Sequence, residues 1–212
     1  PIIDHLNMKE VSGHFDERLS FRLFISQEYP TIALVLFGKC EHSGANRIGT
    51  QAASMACWET IKTLNPKILA SVGTAGGFKS KGTDIGDVFL SHEYIYFHGR
   101  HIPAPGYQIF ELGKFPAMVL PKQSNVKLGT ISSSDSIPAS EIDLKRMEQI
   151  GTDAKDMEAA AIAEVACMAN IPVFAMKSIT DFVDSAETTH EQFIKNFSLA
   201  TENLTEALGL LL

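Results

Sequence analysis

The chain has 212 residues, 45% of them hydrophobic, so it can bury a full core and is not a disordered protein. It carries 25 acidic and 18 basic residues, for a formal net charge of -7, and no Lys/Arg cluster, which argues against nucleic acid as a partner. Its three cysteines are scattered, without a C-x-x-C pair or histidine at metal-ligand spacing, so we expect reduced thiols, a cytoplasmic protein and no metal site.

The first ten residues, PIIDHLNMKE, lack the basic and apolar regions of a secretion signal. No later apolar run approaches the ~20 residues that a membrane span needs. We therefore expect a soluble protein with no membrane partner.

Four short apolar runs, rich in β-branched residues and bounded by Gly, Pro or Asp, predict strands. Because they are apolar on both faces, we expect central strands of a sheet. The four runs are Thr31–Gly38, Lys67–Gly73, Asp87–Ser91 and Ile171–Thr180. Between the first two, Arg47–Leu64 has a helical composition and stops before Pro66, which cannot continue a helix. This alternation predicts an α/β fold.

The C-terminal segment begins with a capping-box pattern at Thr188–Glu191 and predicts an amphipathic helix. Its expected apolar face consists of Phe193, Phe197, Ala200, Leu204, Leu208 and Leu211. Earlier in the chain, His98–Ala117 is a Pro/Gly-rich interruption too long for a tight turn. Loops of this kind often carry function or an interface.

The first candidate site is SVGTAGGF, Ser71–Phe78, at the carboxyl end of a predicted strand. Its glycines would allow a ligand close to the main chain, and the Thr74 hydroxyl could reach that ligand. Taken alone, the pattern favours a tight turn, because it matches neither G-x-G-x-x-G nor the P-loop spacing.

The second candidate is Glu158, at the start of a helical segment so small and apolar that we expect it to be buried. The free amides and dipole of the first helical turn can stabilise a carboxylate there, which would be a structural role. Alternatively, the carboxylate accepts hydrogen bonds from a pair of sugar hydroxyls. We expect Asp153 and Asp156 to be solvated acids of the first turn.

The third candidate is Asp181, in the segment KSITDFVD at the end of the last predicted strand. Ligands bind at the carboxyl edge of open α/β sheets, and burial there can keep an acid protonated near neutral pH. For a single aspartate, a helix or turn cap is an equally good interpretation.

Taken together, the GTAGG, DMEAAAIA and SITDFVD stretches resemble the nucleoside phosphorylase/hydrolase superfamily. The motifs GTAGGFK, HxRxIPxP, KDME and TDxVD are most similar to those of plant-type 5'-methylthioadenosine/S-adenosylhomocysteine nucleosidases. The resemblance runs from about Leu34 to the C-terminal helix. It implies one domain over residues 1–212, with three layers, αβα, around a mixed, twisted and partly barrel-like sheet.

The resemblance also implies an activity: hydrolysis of the bond between adenine N9 and ribose in 5'-methylthioadenosine, with S-adenosylhomocysteine as a second candidate substrate. It implies a homodimer, an adenine nucleoside as ligand and no cofactor. Asp181 matches the family's acid, which protonates adenine N7. Glu158 matches the glutamate that holds the ribose hydroxyls, and Met157 matches the residue that packs on the sugar.

Further binding residues follow from the same likeness. The residues expected close to the nucleoside are Thr74, Gly76, Gly77 and Thr180. Lys177 lies at a position where many bacterial members of the family have arginine. Ser136 and Ile137 lie in Ser132–Ser140, which matches the segment whose main chain reads the purine edge. Ile102 and Pro105 match residues that reach across a dimer interface to the partner's 5'-substituent pocket.

One departure concerns the N-terminus. Family members begin with a strand that ends near a methionine and a glutamate that positions the attacking water, whereas this sequence starts at the helix end that follows. Hydrolysis without that glutamate would be crippled. Pro1 could follow a removed initiator methionine, but we expect the sequence to be the retained part of a longer chain, because a missing central strand would expose two strand edges that proteins normally protect.

Two alternatives stay open at this point. A phosphorylase of the same superfamily would need an anion site, for which Lys39 and Arg47 are the visible candidates. A non-catalytic nucleoside-binding or storage relative would explain a missing glutamate, but it has no need of Asp181 or Glu158.

Overall fold

The computed structural model describes residues 1–107, 110–121 and 123–211. The helices are α1 (Ile2–His5), α2 (Gly49–Leu64), α3 (Glu141–Ile150), α4 (Ala159–Met168) and α5 (Thr189–Gly209). The strands are β1 (Met8–Val11), β2 (Arg22–Ser26), β3 (Ala33–Leu36), β4 (Leu69–Gly77), β5 (Val88–Phe97), β6 (Gly113–Pro116), β7 (Lys127–Ser133), β8 (Ala154–Asp156) and β9 (Val173–Phe182). No helix in these ranges is long and apolar enough to cross a membrane.

The larger sheet has the strand order β6-β5-β7-β8-β4-β9, and β5 also pairs with β9. This last pairing closes β5, β7, β8, β4 and β9 into a five-stranded barrel, to which β6 adds an edge. The pairs β4–β9, β5–β7 and β7–β8 are parallel, whereas β4–β8, β5–β6 and β5–β9 are antiparallel. The predicted mixed and partly barrel-like α/β fold is confirmed.

The core has two main parts, which lie on opposite faces of β9. One contains Ala175 and Ile179 of β9 with the buried alanines of α4, whose short side chains let that helix approach the barrel closely. The other contains Phe174 and Met176 of β9 with Leu204 and other residues of α5. Because β9 is apolar toward both helices, its sequence reads as a continuous buried run.

The smaller sheet is an antiparallel meander in the order β1-β2-β3. The prediction that Thr31–Gly38 forms a central strand is wrong, because β3 is the edge strand of this second sheet and its residues are half-buried or exposed. Its apolar side chains, such as Leu34 and Leu36, pack on a small cluster around Phe24. A local cluster therefore produced the apolar pattern that suggested a central strand.

The other predicted elements are present with shifted ends. Helix α2 begins two residues later than predicted and ends at Leu64 as expected, followed by the C-cap residue Asn65 in the left-handed conformation. Strand β9 is shifted by two residues, β5 continues to Phe97, and β4 continues to Gly77. The predicted loop His98–Ala117 contains β6, and its residues 108 and 109 lie outside the described residues.

The predicted C-terminal helix is α5. The Thr188 side chain accepts a hydrogen bond from the Glu191 main-chain N–H, which is the first half of the expected capping box. The Glu191 carboxylate accepts a 2.8 Å hydrogen bond from the Thr188 hydroxyl. Of the expected apolar face, Ala200 and Leu204 are buried, whereas Phe197 is exposed.

Candidate active site

Asp181 follows a β-bulge in β9. Ala75 of β4 pairs with Ile179, and the next residue, Gly76, pairs with Asp181, so Thr180 is an extra residue in β9. Opposed residues share a face of a sheet, and consecutive residues of β4 face opposite sides. The bulge therefore turns Asp181 to the face opposite Ile179, whereas in a regular strand both side chains would point into the same apolar core.

The glycines of β4 agree with this arrangement. A β-carbon added to Gly76 would lie 2.9 Å from Asp181 Oδ2, and one added to Gly77 would lie 3.0 Å from Ile179 Cγ2. The space beside each side chain is thus available only because β4 has glycine there. Both glycines lie inside the strand, so the interpretation of this motif as a tight turn is wrong. Thr74, on the same strand, is half-buried.

Asp181 is buried, with only 6% of the residue exposed. Burial raises its pKa, and this effect is opposed by a hydrogen bond from Thr180 and by the positive charge of Lys155. The Thr180 hydroxyl lies 2.7 Å from Asp181 Oδ1 and orients the carboxyl group. Asp181 therefore keeps its proton to higher pH than an exposed aspartate, as a proton donor requires.

Glu158 is the half-buried N-cap residue of α4, and the first residue of α2 contacts its carboxylate. Its Oε1 accepts a 2.8 Å hydrogen bond from the Gly49 main-chain N–H, and its Oε2 accepts one of 3.3 Å from Met157. Burial and the charge of Asp156 raise the pKa of Glu158, against the charge of Lys177 and these two bonds. The carboxylate is thus held by main-chain donors, with its pKa raised by its surroundings.

Gly49 was missed by the sequence reasoning, although it lies at the junction of three segments. Its φ of +91° belongs to the left-handed region, and an added β-carbon would lie 2.8 Å from Asp135 Oδ1. Asp135 in turn accepts a 2.8 Å hydrogen bond from the Thr50 main-chain N–H. The first turn of α2 thereby donates to both Glu158 and Asp135.

Asp156 lies on β8 and forms a buried ion pair with Lys177, whose Nζ is 2.8 Å from Asp156 Oδ2. The Ser133 hydroxyl and the Ala159 main-chain N–H also donate to this carboxylate. Burial alone would raise the pKa of Asp156, but Lys177 and these donors outweigh it and lower the pKa. The expectation of a solvated first-turn acid is wrong for Asp156.

The same expectation is wrong for Asp153, which precedes β8. It is half-buried and accepts hydrogen bonds from the Thr130 main-chain N–H at 2.9 Å and from Lys81 Nζ at 3.3 Å. The sequence alone could not show that strand and loop residues far along the chain satisfy both acids.

Lys155 is a second residue that sequence reasoning missed. It is 6% exposed, and its Nζ donates a 2.6 Å hydrogen bond to the Ser136 main-chain carbonyl. Ser136 itself is half-buried, and the neighbouring Ile137 side chain is 56% exposed. The predicted purine-reading segment is therefore tied to β8, with the Ile137 side chain left open. A lysine inside the short buried strand AKD was the available signal.

The loop with Ile102 and Pro105 is tied to α3 through Arg146. The Arg146 guanidinium donates to the His98 carbonyl at 2.9 Å and to Glu111 Oε2 at 3.1 Å. Glu111 also accepts a 3.1 Å bond from the Ile102 main-chain N–H. Ile102 is half-buried and Pro105 is exposed, so the tip of the loop is open to a further contact.

The barrel thus brings Asp181, Gly76 and Lys155 into one row across β9, β4 and β8, and Glu158 caps α4 two residues after β8 ends. Within the described ranges, no three His, Cys, Asp or Glu side chains gather as a metal ion would require. The arrangement offers one buried, proton-holding carboxyl group and one carboxylate at the start of a helix, which together suit acid-assisted cleavage of a polar ligand.

Comparisons with known proteins agree with this geometry. The family model described as "Phosphorylase superfamily" matches residues 5–212. The chain is 34% identical over 213 residues to the 5'-methylthioadenosine/S-adenosylhomocysteine nucleosidase of Arabidopsis thaliana, covering 98% of this chain and 84% of that protein. A second Arabidopsis relative, 5'-methylthioadenosine nucleosidase, is 38% identical over 82% of this chain and 66% of its own length.

Solved structures give the same result. The apo structure of Arabidopsis thaliana 5'-methylthioadenosine nucleosidase has a TM-score of 0.92 at 32% identity, covering 99% of this chain and 88% of that one. The Neisseria meningitidis nucleosidase, solved with methylthio-immucillin-A, shares the fold with a TM-score of 0.73 at 23% identity, covering 95% of this chain and 87% of that one. The resemblance inferred from the sequence motifs is confirmed: the chain belongs to the phosphorylase superfamily and, within it, to the 5'-methylthioadenosine/S-adenosylhomocysteine nucleosidase family.

Proposed function

We propose that this chain hydrolyses the bond between adenine and ribose in 5'-methylthioadenosine, and in S-adenosylhomocysteine as a second substrate. The observation that carries the proposal is the buried Asp181, whose pKa is raised by burial at the barrel edge where the bulge turns it out of the core. A carboxyl group in this environment can donate a proton at a pH where an exposed aspartate has already lost it.

In the proposed reaction, the Asp181 proton passes to adenine N7 as the bond between N9 and the ribose anomeric carbon breaks. The electron pair of that bond goes to the purine, which leaves as neutral adenine. A water molecule adds its hydroxide to the anomeric carbon and releases its second proton, so the products are adenine and a free ribosyl sugar. Thr180 orients the acid through its 2.7 Å hydrogen bond.

Glu158 is proposed to accept hydrogen bonds from the two ribose hydroxyls, with Met157 packed against the sugar. Its two carboxylate oxygens accept main-chain hydrogen bonds from Gly49 and Met157, which supports an acceptor role. Lys177 is proposed to act on the ligand through Asp156 and Glu158, because its ammonium group forms an ion pair with Asp156.

Thr74, Gly76 and Gly77 are proposed to close around the nucleoside from β4. Ser136 and Ile137 are proposed to face the purine: the Ile137 side chain is open, and the main chain of Ser136 is fixed by Lys155. These five positions remain proposals that ligand-bound measurements would test.

We further propose a homodimer in which Ile102 and Pro105 line the partner's 5'-substituent pocket. The exposed tip of that loop and the exposed Met55 and Trp58 on α2 support a partner of the same kind. Sedimentation tests the dimer. Replacing Pro105 by Trp should change the ratio of activities on the two substrates, and an unchanged ratio would remove the loop from the pocket.

A cytoplasmic location, proposed from the free cysteines, is testable with a fluorescent fusion.

A phosphorylase is not supported by the candidate anion donors. Lys39 and Arg47 are both exposed, and the Arg47 guanidinium donates to the Ser20 hydroxyl at 2.8 Å. A storage relative is not supported either, because burying the Asp181 carboxyl group costs free energy that a storage role does not recover.

Product analysis tests the proposal. The full-length protein is incubated with 5'-methylthioadenosine in buffer with and without phosphate, and both products are identified. We expect adenine and the free sugar in both buffers. Adenine released only with phosphate, together with the sugar 1-phosphate, would establish the phosphorylase instead. Nucleoside binding without cleavage in either buffer would establish the non-catalytic relative.

A further inference from the structure

Lys155 lies in one cross-strand row with the proposed acid. It is the register partner of Ser132 on β7 and of Gly76 on β4, and Gly76 is the register partner of Asp181 on β9. Residues opposed in this way project from the same face of a sheet. Because Gly76 is a glycine, β4 contributes no side chain to this row between Lys155 and Asp181.

The Lys155 ammonium is buried among acids. Its Nζ donates a 2.6 Å hydrogen bond to the Ser136 main-chain carbonyl oxygen. Burial lowers the pKa of Lys155, and this effect is opposed by the four acidic residues around it. These are Asp156, Asp143, Glu158 and Asp181. A buried ammonium is expensive to maintain, so its retention in a row with the acid calls for a role that uses its charge.

We propose that Lys155 is a positioning residue for the hydrolytic reaction: it fixes the Ser136 main chain beside the base and stabilises the Asp181 carboxylate that remains after the proton has passed to adenine. The inference rests on the proposed function. The first part follows from the hydrogen bond to Ser136 and the second from the shared row. Lys155 itself neither gives nor takes a proton in this step.

The charge argument can be followed through the reaction. Before bond cleavage, Asp181 is neutral and Lys155 is positive. After the proton has moved to N7, Asp181 is negative in a site with little water, and the nearby ammonium lowers the free energy of that state. Lys155 thus makes the buried Asp181 a stronger acid than its burial alone would allow, which agrees with the direction of its effect on the Asp181 pKa.

Three substitutions separate the two parts of the role. Lys155→Met removes both charge and donor, Lys155→Gln removes the charge but keeps a donor for Ser136, and Lys155→Arg keeps both. Lys81→Met is the matched control, because Lys81 also donates a 2.6 Å bond to a main-chain carbonyl, that of Thr152, but lies outside the row. Unfolding midpoints are measured for all four, together with kcat and KM for adenine release across pH.

For Lys155→Met we expect kcat to fall about 10- to 100-fold, the range of a lost hydrogen bond to a charged group. The alkaline limb of the pH profile should move to higher pH, because loss of the cation raises the Asp181 pKa further. Lys155→Gln should show the same limb shift with a KM closer to wild type, whereas Lys155→Arg and Lys81→Met should keep the wild-type limb.

His98 is another titrating neighbour of Lys155. Burial lowers its pKa to about 4, so above that pH His98 is uncharged and adds no positive charge beside Lys155.

The inference is overturned if Lys155→Met or Lys155→Gln folds and keeps the wild-type alkaline limb. Loss of a merely structural residue would lower the fraction of active protein but would not shift the pH of that limb. If Lys155→Met fails to fold, Lys155→Gln and Lys155→Arg decide the question by the same limb. If the wild-type protein releases no adenine, the proposed function itself is wrong. If the wild type is active and Lys155→Gln has the same alkaline limb, only the role of Lys155 is wrong.

Discussion

Gly76 and Asp181 are register partners on the parallel strands β4 and β9, and a β-carbon on Gly76 would lie 2.9 Å from Asp181 Oδ2. The pairing exists only because Thr180 is inserted as a bulge, which turns Asp181 away from the apolar side that holds Ile179. One inserted residue and one missing side chain thus create the space for a buried acid.

Replacing Gly76 by alanine should displace the acid. The added methyl group would also lie 2.9 Å from Val183 Cγ2, so Asp181 or the strand must move. We expect adenine release to fall about 100-fold, as for an angstrom-scale misplacement of a catalytic group. Gly73→Ala is the matched control on the same strand, because its nearest neighbour would be Lys177 Nζ at an ordinary 3.5 Å. Equal activities of the two variants would argue against this packing.

The pH profile of the wild type should show the state of Asp181. Burial raises the pKa of this group above its ordinary value, and the reaction needs its protonated form. The kcat/KM for adenine release should therefore fall as pH rises through the raised pKa. Glu158→Gln removes a different titrating group and should leave this alkaline limb in place. A kcat/KM that rises steadily with pH over the same range would be incompatible with an acid role.

Glu158→Gln should weaken the contacts to ribose while leaving the purine contacts intact. Glutamine keeps one acceptor oxygen but loses the charge, so we expect kcat/KM for 5'-methylthioadenosine to fall about 10- to 100-fold. Binding of free adenine, which has no ribose, serves as the control and should match the wild type in calorimetry. Equal losses for adenine and the nucleoside would show that Glu158 supports the fold of the site rather than the sugar.

The ion pair between Lys177 and Asp156 should matter for stability. Lys177→Met leaves a buried carboxylate unpaired, and we expect a loss of about 3–5 kcal/mol in the free energy of unfolding, measured with urea. Glu10→Gln, which breaks an exposed pair with Arg22, is the control and should change little. Similar midpoints for both variants would contradict the assigned burial.

The same pair predicts a pH dependence of stability. The folded-state pKa of Asp156 is lowered, so its contribution is present above the unfolded value and is lost as pH falls through the lowered pKa. Unfolding measured in wild type and Asp156→Asn should therefore converge at acid pH. A stability difference that stays constant down to low pH would contradict this direction.

Much of the fold was readable from apolar runs. Helices α2 and α5 and strands β4, β5 and β9 follow the patterns that predicted them, because each buries a continuous apolar surface. Strand β7 was missed because its buried residues include serine and glycine, which read as loop. Strand β8 has only three residues, too few for a periodic pattern.

The site was readable in part. Asp181 and Glu158 stand out as acids next to buried segments, and both are held in buried or half-buried surroundings. The bulge at Thr180 was not readable, because register depends on a partner strand distant in sequence. For the same reason the pairing of Asp156 with Lys177 was hidden, and Asp156 read as a solvated acid.

The most direct test of the central claim is adenine release from 5'-methylthioadenosine by Asp181→Asn and wild-type protein, measured side by side in phosphate-free buffer. The substitution keeps the shape of the side chain and removes its proton-donating form. We expect the unfolding midpoint and nucleoside binding to stay close to wild type while turnover falls by about 10²- to 10⁴-fold. Turnover near the wild-type rate in a folded Asp181→Asn protein would contradict the role of Asp181 as the acid.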